Sequence, residues 1–323
     1  MKIETTRARQ AVSAALAFVA LAAPRVAKAC GSCRGPGGAG SALTAPWQRY
    51  GVSIVETMRA GHGVFDERSR FRGFGSESHD RVLEVAFAAA VRPVDAVELG
   101  ATTAYGNVLV GGPAFRSSRG ALGDLSLRLR WELLQEPPLE LTGQQRLPAV
   151  GLTFTSRLPT GPVDRATTAG ASGPSPGTVG STATSQGLGT TELALAVDVR
   201  KTFASRFQIG AVGEAGWRAP DDSIGLHRAL GPRGLVRIMG IMFEGDATFG
   251  LFADLAAEGD VRYGTRTSPD SGQRSVSVGA SGSYKTKLGL RTGLALTYQP
   301  PIDGLSKNAV AATGITTFLA FTR

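Results

Sequence analysis

Three histidines, two cysteines and a scatter of carboxylates are the side chains of this sequence that could carry covalent or metal chemistry. Hydrolysis needs a nucleophile, a base and an orienting group within reach of one another. His62, His79 and His227 each fall in or beside a segment read below as a loop, and no G-x-S-x-G signature supports them. A surface hydrolase using His79 is the form such chemistry would take. Solvated loop histidines are the ordinary case, so no catalytic residue is assigned and the chain is not expected to be an enzyme. A metal held by His62, His227, Asp66, Asp221 and Asp222 would draw about one ligand from each loop, unlike a compact site. No metal and no other cofactor is expected.

Cys30 and Cys33 stand in a C-x-x-C spacing before the Gly-rich run Arg34–Gly40. A c-type haem would need His directly after the second cysteine, where Arg34 stands. Outside the cytoplasm the pair reads as a small disulfide or two idle thiols. Binding of a soft ion such as Cu(I) would call for further ligands, and none lie nearby in sequence.

Residues 1–29 have a basic start, an apolar stretch from Ala11 to Ala23, Pro24, and the small-x-small site Ala27-Lys28-Ala29. They read as a secretory leader, and 30–48 as a Gly-rich periplasmic arm. Acylation of Cys30 is the alternative, although Ala27 occupies the position where a lipoprotein signal usually has Leu. The leader holds Lys2, Arg7, Arg9, Arg25 and Lys28 against Glu4, so the net charge of +9 falls to +5 without it. The remaining arginines are scattered singly rather than gathered into a stripe, which argues against nucleic acid as a partner. Beyond the leader the longest uncharged apolar run is Val85–Val91, far short of the roughly 20 residues of a membrane helix.

The elements that position the charged side chains are strands. In 124–134, Leu125, Leu127, Leu129, Trp131 and Leu133 share one face, and Asp124, Ser126, Arg128, Arg130 and Glu132 the other. A helix would scatter those leucines all round. The same period of two recurs from Tyr50 to the end and yields twelve segments: 50–60, 79–92, 94–106, 124–134, 150–157, 192–200, 207–217, 234–243, 247–257, 274–285, 288–298 and 308–322. Their connections alternate between long (61–78, 107–122, 159–188, 219–231, 258–273) and short (Pro93, 204–205, 244–245, 285–286), with 135–146 and 300–307 intermediate. An even strand count with short turns at one end and long loops at the other predicts an all-β, antiparallel transmembrane β-barrel over 49–323 in the bacterial outer membrane.

Aromatic residues gather near segment ends. Tyr50, Trp131, Phe203, Phe207, Phe243, Tyr284 and Phe321 fall at the periplasmic end, and Tyr105, Trp217 and Tyr298 at the other, as two interfacial girdles. Two positions break the parity. Glu56 lies among apolar residues of the first segment, and Arg237 lies on the parity of Met239, Ile241 and Phe243. The opposite parity supplies candidate pore-lining residues: Glu84, Glu98, Arg128, Arg130, Glu132, Arg157, Glu192, Asp198, Arg200, Lys287 and Arg291, with Asp124 and Glu214 beside them. Acids and bases interleave, either lining a small polar channel, bridging the lumen as a ladder, or solvating a wet interior.

Three short segments carry a family resemblance: Gly123-Asp124-Leu125, Leu158-Pro159-Thr160-Gly161, and Arg92-Pro93-Val94 before Glu98-Leu99-Gly100. They resemble the outer-membrane transporter family named for the meta-pathway of phenol degradation, over roughly residues 50–323. The resemblance implies a porin-like barrel passing small molecules, hydrophobic or aromatic ones among them, with no substrate residues carried over. The expected partners are outer-membrane lipid and a small-molecule solute. A surface scaffold or adhesin with a closed lumen is the competing reading, and an outer-membrane hydrolase the third.

Overall fold

The computed structural model describes residues 48–75, 78–112, 115–135, 147–162, 189–204, 206–222 and 227–323. The leader and the arm with Cys30 and Cys33 lie outside the described residues.

Twelve strands form the barrel wall: β1 (Tyr50–Phe65), β2 (His79–Val94), β3 (Val97–Gly112), β4 (Leu125–Leu134), β5 (Ala149–Leu158), β6 (Glu192–Phe203), β7 (Phe207–Arg218), β8 (Arg233–Glu244), β9 (Ala247–Glu258), β10 (Gln273–Lys285), β11 (Leu290–Tyr298) and β12 (Val310–Thr322). Each pairs antiparallel with its neighbours in chain order, and β12 closes on β1 from Gly51↔Thr322 to Val64↔Val310. Closure removes both sheet edges, which a bilayer requires because it offers no water to free N–H and C=O groups. Following the registers once around the wall displaces the chain by about 14 residues, a shear that tilts twelve strands by about 40°.

Alternation decides the two faces. Leu127, Leu129, Trp131 and Leu133 are exposed outward, whereas Arg130 and Glu132 are buried inward, and register carries that parity around the barrel. Tyr50, Trp131, Phe203, Phe207 and Tyr284 stand exposed near the ends joined by short turns, and Tyr105, Trp217 and Tyr298 at the opposite ends. The Tyr50 and Phe321 rings lie 6.4 Å apart. These girdles bound an apolar outer belt, and the short turns mark the periplasmic end.

Several sequence-based boundaries shift. The segment 107–122, expected as a loop, is a hairpin beyond the membrane: β3 runs on to Gly112 and Phe115–Leu122 pairs back along it. A hairpin above the lipid needs no apolar face, so alternation gives little sign of it. Likewise β1 continues to Phe65 and pairs with Phe71–Gly73, while Arg228–Ala229, Arg262–Tyr263 and Arg266–Thr267 form a small separate sheet. The loop 159–188 lies largely outside the described residues.

The β8 anomaly has a simple cause. Arg237, Met239, Ile241 and Phe243 all point inward, and Val236, Ile238 and Met242 face lipid. Phe243 is therefore a lumen residue, not part of a girdle. Both faces of β8 are largely apolar, so parity alone could not tell inside from outside. Glu56, in contrast, does stand on the outward parity, opposite Val85 and Thr317.

The topology makes a test at the membrane surfaces. In a background lacking Cys30 and Cys33, a membrane-impermeant maleimide added to intact cells should label Asp222→Cys, in the β7–β8 connection, and leave Asp246→Cys, in the β8–β9 turn, unlabelled. The reverse pattern would invert the barrel.

Candidate functional site

The lumen has two chemically different arcs. Across β2 to β6 the inward positions of the periplasmic half are filled by interlocked charges. Glu98 receives Arg128 at 2.8 Å and lies 3.5 Å from Arg92. Asp198 binds Arg130 at 3.0 Å and Arg200 at 3.1 Å. Glu132 is shared by Arg130, Arg92 at 3.6 Å and Arg200 at 3.6 Å. Four guanidiniums thus meet three carboxylates, and Glu98 is 0% exposed and Arg130 2%. Charges buried to that degree persist only when paired.

Register explains the meeting. Glu98 lies directly opposite Arg130, Glu132 opposite Gly151, and Gly151 opposite Asp198. Gly151 is what lets the cluster close: a Cβ there would sit 2.4 Å from Arg130 Nη2 and 2.5 Å from Asp198 Oδ2. Neighbouring inward positions are small and buried, as at Ala86, Ala88, Ala90, Ala194 and Ala196. This arc is packed wall.

A second network crosses the extracellular ends of β6 to β9. Glu192 accepts from Arg218 at 2.7 Å and Arg233 at 2.8 Å; Arg218 also reaches Glu258 at 2.9 Å, and Arg233 reaches Glu214 at 2.6 Å. Glu258 is 38% exposed at its side chain and Arg233 27%, so this rim is wetter. Arg157 lies opposite Glu192 in register but binds Asp124 at 3.1 Å. Below the rim, Arg237 forms two 2.6 Å bonds with Asp254 and stands 5.0 Å above the Phe252 ring.

The other arc, β9 to β1, is built from small side chains. On β10 the inward face reads Ser275, Ser277, Gly279, Ser281, Ser283, Lys285, and every one is half-buried rather than buried. Across the register lie Thr297 and Arg291 of β11, Thr316 and Phe318 of β12, and Val55 and Thr57 of β1. Phe318 directly faces Val55 in register, and it lies so close over Gly293 that a Cβ there would come within 2.3 Å of its ring. Toward β8, Met239, Ile241, Phe243 and Phe252 form a buried apolar cluster inside the wall. Half-buried side chains therefore follow β10 to β1, mostly hydroxyls with Phe318 and Val55 beside them, and Ala295 of β11 is buried between Ser281 and Thr316.

The candidate pore-lining residues divide accordingly. Glu98, Arg128, Arg130, Glu132, Asp198 and Arg200 are brought together in the packed arc, Arg157 and Glu192 reach the rim, and Glu84 and Arg291 face the lumen half-buried. Lys287 is a correction. The strand begins at Leu290, not Leu288, because Gly289 takes φ 83° in a turn that places Lys287 exposed outside the wall. Sequence reasoning missed Arg92, Arg218, Arg233, Glu258 and Lys285 as lumen groups. Extending the strands by one residue would have found Arg218 and Glu258, while Arg92 and Lys285 already lay inside the segments as drawn.

The three sequence motifs serve as clasps. Thr160 Oγ1 accepts from Leu125 N at 2.8 Å, and Gly161 N donates to Asp124 Oδ1 at 3.0 Å, joining the extracellular ends of β4 and β5. Arg92 and Glu98 join the periplasmic ends of β2 and β3.

Neither His62 nor His227 sits in a triad-like arrangement among the described residues. His62 is the bulged residue of β1 between Gly61 and Gly63, its ring stacked 5.9 Å from Tyr298, and His227 lies exposed 3.1 Å from Asp222. His79 opens β2. Nearby in the β1–β2 connection, backbone N–H groups of Arg70 and Arg68 hold the Asp66 carboxyl below the usual range. Burial raises the Tyr263 phenol beside the Arg228–Asp221 pair. No group of three or more potential metal ligands occurs among the described residues.

No protein-family model matches the chain, and no curated protein matches it in sequence. Solved structures do. An outer membrane channel from Pseudomonas putida F1 superposes with a TM-score of 0.70 at 13% identity, covering 90% of this chain and all of that one. The NanC porin aligns at 0.47 and 8% identity over 84% of this chain and 98% of its own, and the CymD monoaromatic hydrocarbon channel at 0.41 and 10% identity over 87% and 89%. At these identities the likeness is one of architecture: the chain folds as a closed twelve-stranded barrel of the outer-membrane type.

Proposed function

We propose that the protein is a passive channel for small molecules across the outer membrane, acting without catalysis. The observation that carries this reading is the asymmetry of the lumen. Ion pairs and alanines fill the β2–β6 arc, while Ser277, Ser281, Thr316 and Thr57 along β10 to β1 are small hydroxyl side chains that stay half-buried. A barrel serving only as a scaffold would gain by filling that arc with large side chains, since close packing stabilises an interior. Twelve strands enclose a lumen wider than the side-chain-filled eight-stranded type and narrower than a 16–18-stranded porin, which suits single small solutes. The fold shared with the Pseudomonas channel supports the same reading. Solutes with hydrophobic or aromatic parts fit the Phe318–Val55 border of the path.

Reconstitution in planar bilayers tests it. Discrete conductance steps, with swelling of liposomes in small solutes, are the expected result. A folded barrel giving neither would mean a closed lumen and a scaffold role.

A further inference from the structure

Glu56 is a lipid-facing acid that the channel reading leaves unexplained. It stands on the outward parity of β1 inside the apolar belt, with exposed Tyr50, Val52 and Ile54 on its periplasmic side and exposed Met58 on the other. Its neighbours in register are Val85 of β2 and Thr317 of β12, and two strands along the same row stands Tyr105 of the extracellular girdle. Arg59, next to it in the chain, takes the inward parity and pairs with Asp80 at 3.5 Å. Among the described residues the Glu56 carboxyl has neither a hydrogen bond nor an ion pair, and the exposed hydroxyl of Thr317 beside it has no partner either. An ionisable side chain against acyl chains is costly, and it marks a site whose partner has to be found. Toward the periplasm from Glu56, Ile54, Phe87, Ala89, Ala101 and Leu319 line a groove of about 490 Å³ on the outer surface.

We propose that the seam between β12 and β1 joins two copies of this chain in the plane of the membrane, Glu56 of each accepting a hydrogen bond from the Thr317 hydroxyl of the other. Acyl chains offer no donor at that level, whereas a second copy does. Two-fold symmetry makes the match. An axis along the membrane normal leaves every residue at its own depth, so a group can meet only what lies at its own level on the other copy. Glu56 and Thr317 are directly opposite in register on adjacent strands, so a two-fold axis facing the seam sets β1 of one copy against β12 of the other and makes both bonds at once. The flanking pairs obey the same rule. Ile54 lies opposite Leu319 and Met58 opposite Ile315, and the rotation seats each against its counterpart, enclosing the polar pair between apolar contacts. Small Ala89 and Ala101 in the groove beside the seam let the two walls approach closely, and polar side chains inside a bilayer join partners by such bonds.

Cross-linking in isolated outer membranes, in a background lacking Cys30 and Cys33, tests the seam. Ile54→Cys should give a disulfide-linked dimer on treatment with copper phenanthroline, and Val197→Cys, exposed on the outward face of β6 across the barrel, should not. Förster transfer between copies labelled at Asp222→Cys, followed as the chains are diluted in lipid vesicles, then gives the dissociation constant. Glu56→Leu and Thr317→Val should each raise it about tenfold, since either removes both symmetric bonds. Glu56→Gln keeps the acceptor and should leave it near the wild-type value. These substitutions suit a lipid-facing position, and heat-modifiable mobility in gels confirms that each variant has folded. Equal cross-linking of Ile54→Cys and Val197→Cys, or absence of transfer in the wild type, overturns the proposal and leaves the seam covered by lipid alone. A dissociation constant that ignores both Glu56→Leu and Thr317→Val overturns it as well, because the copies then meet elsewhere. None of these outcomes bears on the conductance that tests the channel reading.

Discussion

Asp198→Ala should cost about 3–5 kcal/mol of barrel stability, measured as a fall in the urea midpoint of the chain refolded in detergent micelles. Asp198 is 2% exposed and is the carboxylate on which Arg130 and Arg200 converge. Removing it takes a carboxylate from two buried guanidiniums that also share Glu132, which Arg92 reaches as well. Desolvation of those cations then goes uncompensated, which is the expensive outcome for a buried pair. Asp198→Asn retains an acceptor without the charge and should fall between the two. Arg128→Gln should cost less than either, because Glu98 keeps Arg92 and Arg128 is the more exposed partner, at 14% of its side chain. An unchanged midpoint for Asp198→Ala would show that water reaches the cluster, and that solutes pass on the β2–β6 side rather than along β10.

Leu129→Arg should cost about 2–4 kcal/mol, because it places a charge against lipid tails near the middle of the belt. Leu129 is 41% exposed on the outward face of β4, between the girdle residues Trp131 and Tyr105. Ser277→Arg on the inward face of β10 should fold with little loss, since it enters a half-buried arc beside Asp254. A wet charge there contributes only about 0–1 kcal/mol. The comparison is best made by urea titration in lipid vesicles, where the apolar belt meets real acyl chains. Equal costs at the two sites would mean that β4 or β10 has slipped by one residue, since a slip of one turns every side chain to the other face.

Alternation made most of this protein legible before any coordinates. Period two is a property of neighbours in the chain, so Leu125–Leu133 against Arg128–Glu132 identifies a strand, its two faces and a membrane environment from a dozen residues. Twelve such segments with alternating connections then imply a closed barrel and its orientation. The reading failed where that local signal disappears. β8 is apolar inside and out, the hairpin at 115–122 stands above the lipid where no apolar face is needed, and Gly289 ends a strand that composition alone prolonged to Lys287. The site was less legible than the fold. That Arg130 meets Asp198 and that Arg92 joins the same cluster depend on register carried across several strands of the wall. So does the division of the lumen into an arc of buried ion pairs and one of half-buried small side chains. Those are sums over long-range pairings, and only closure of the barrel determines them, because a side chain's partner across a lumen has no fixed distance from it along the chain.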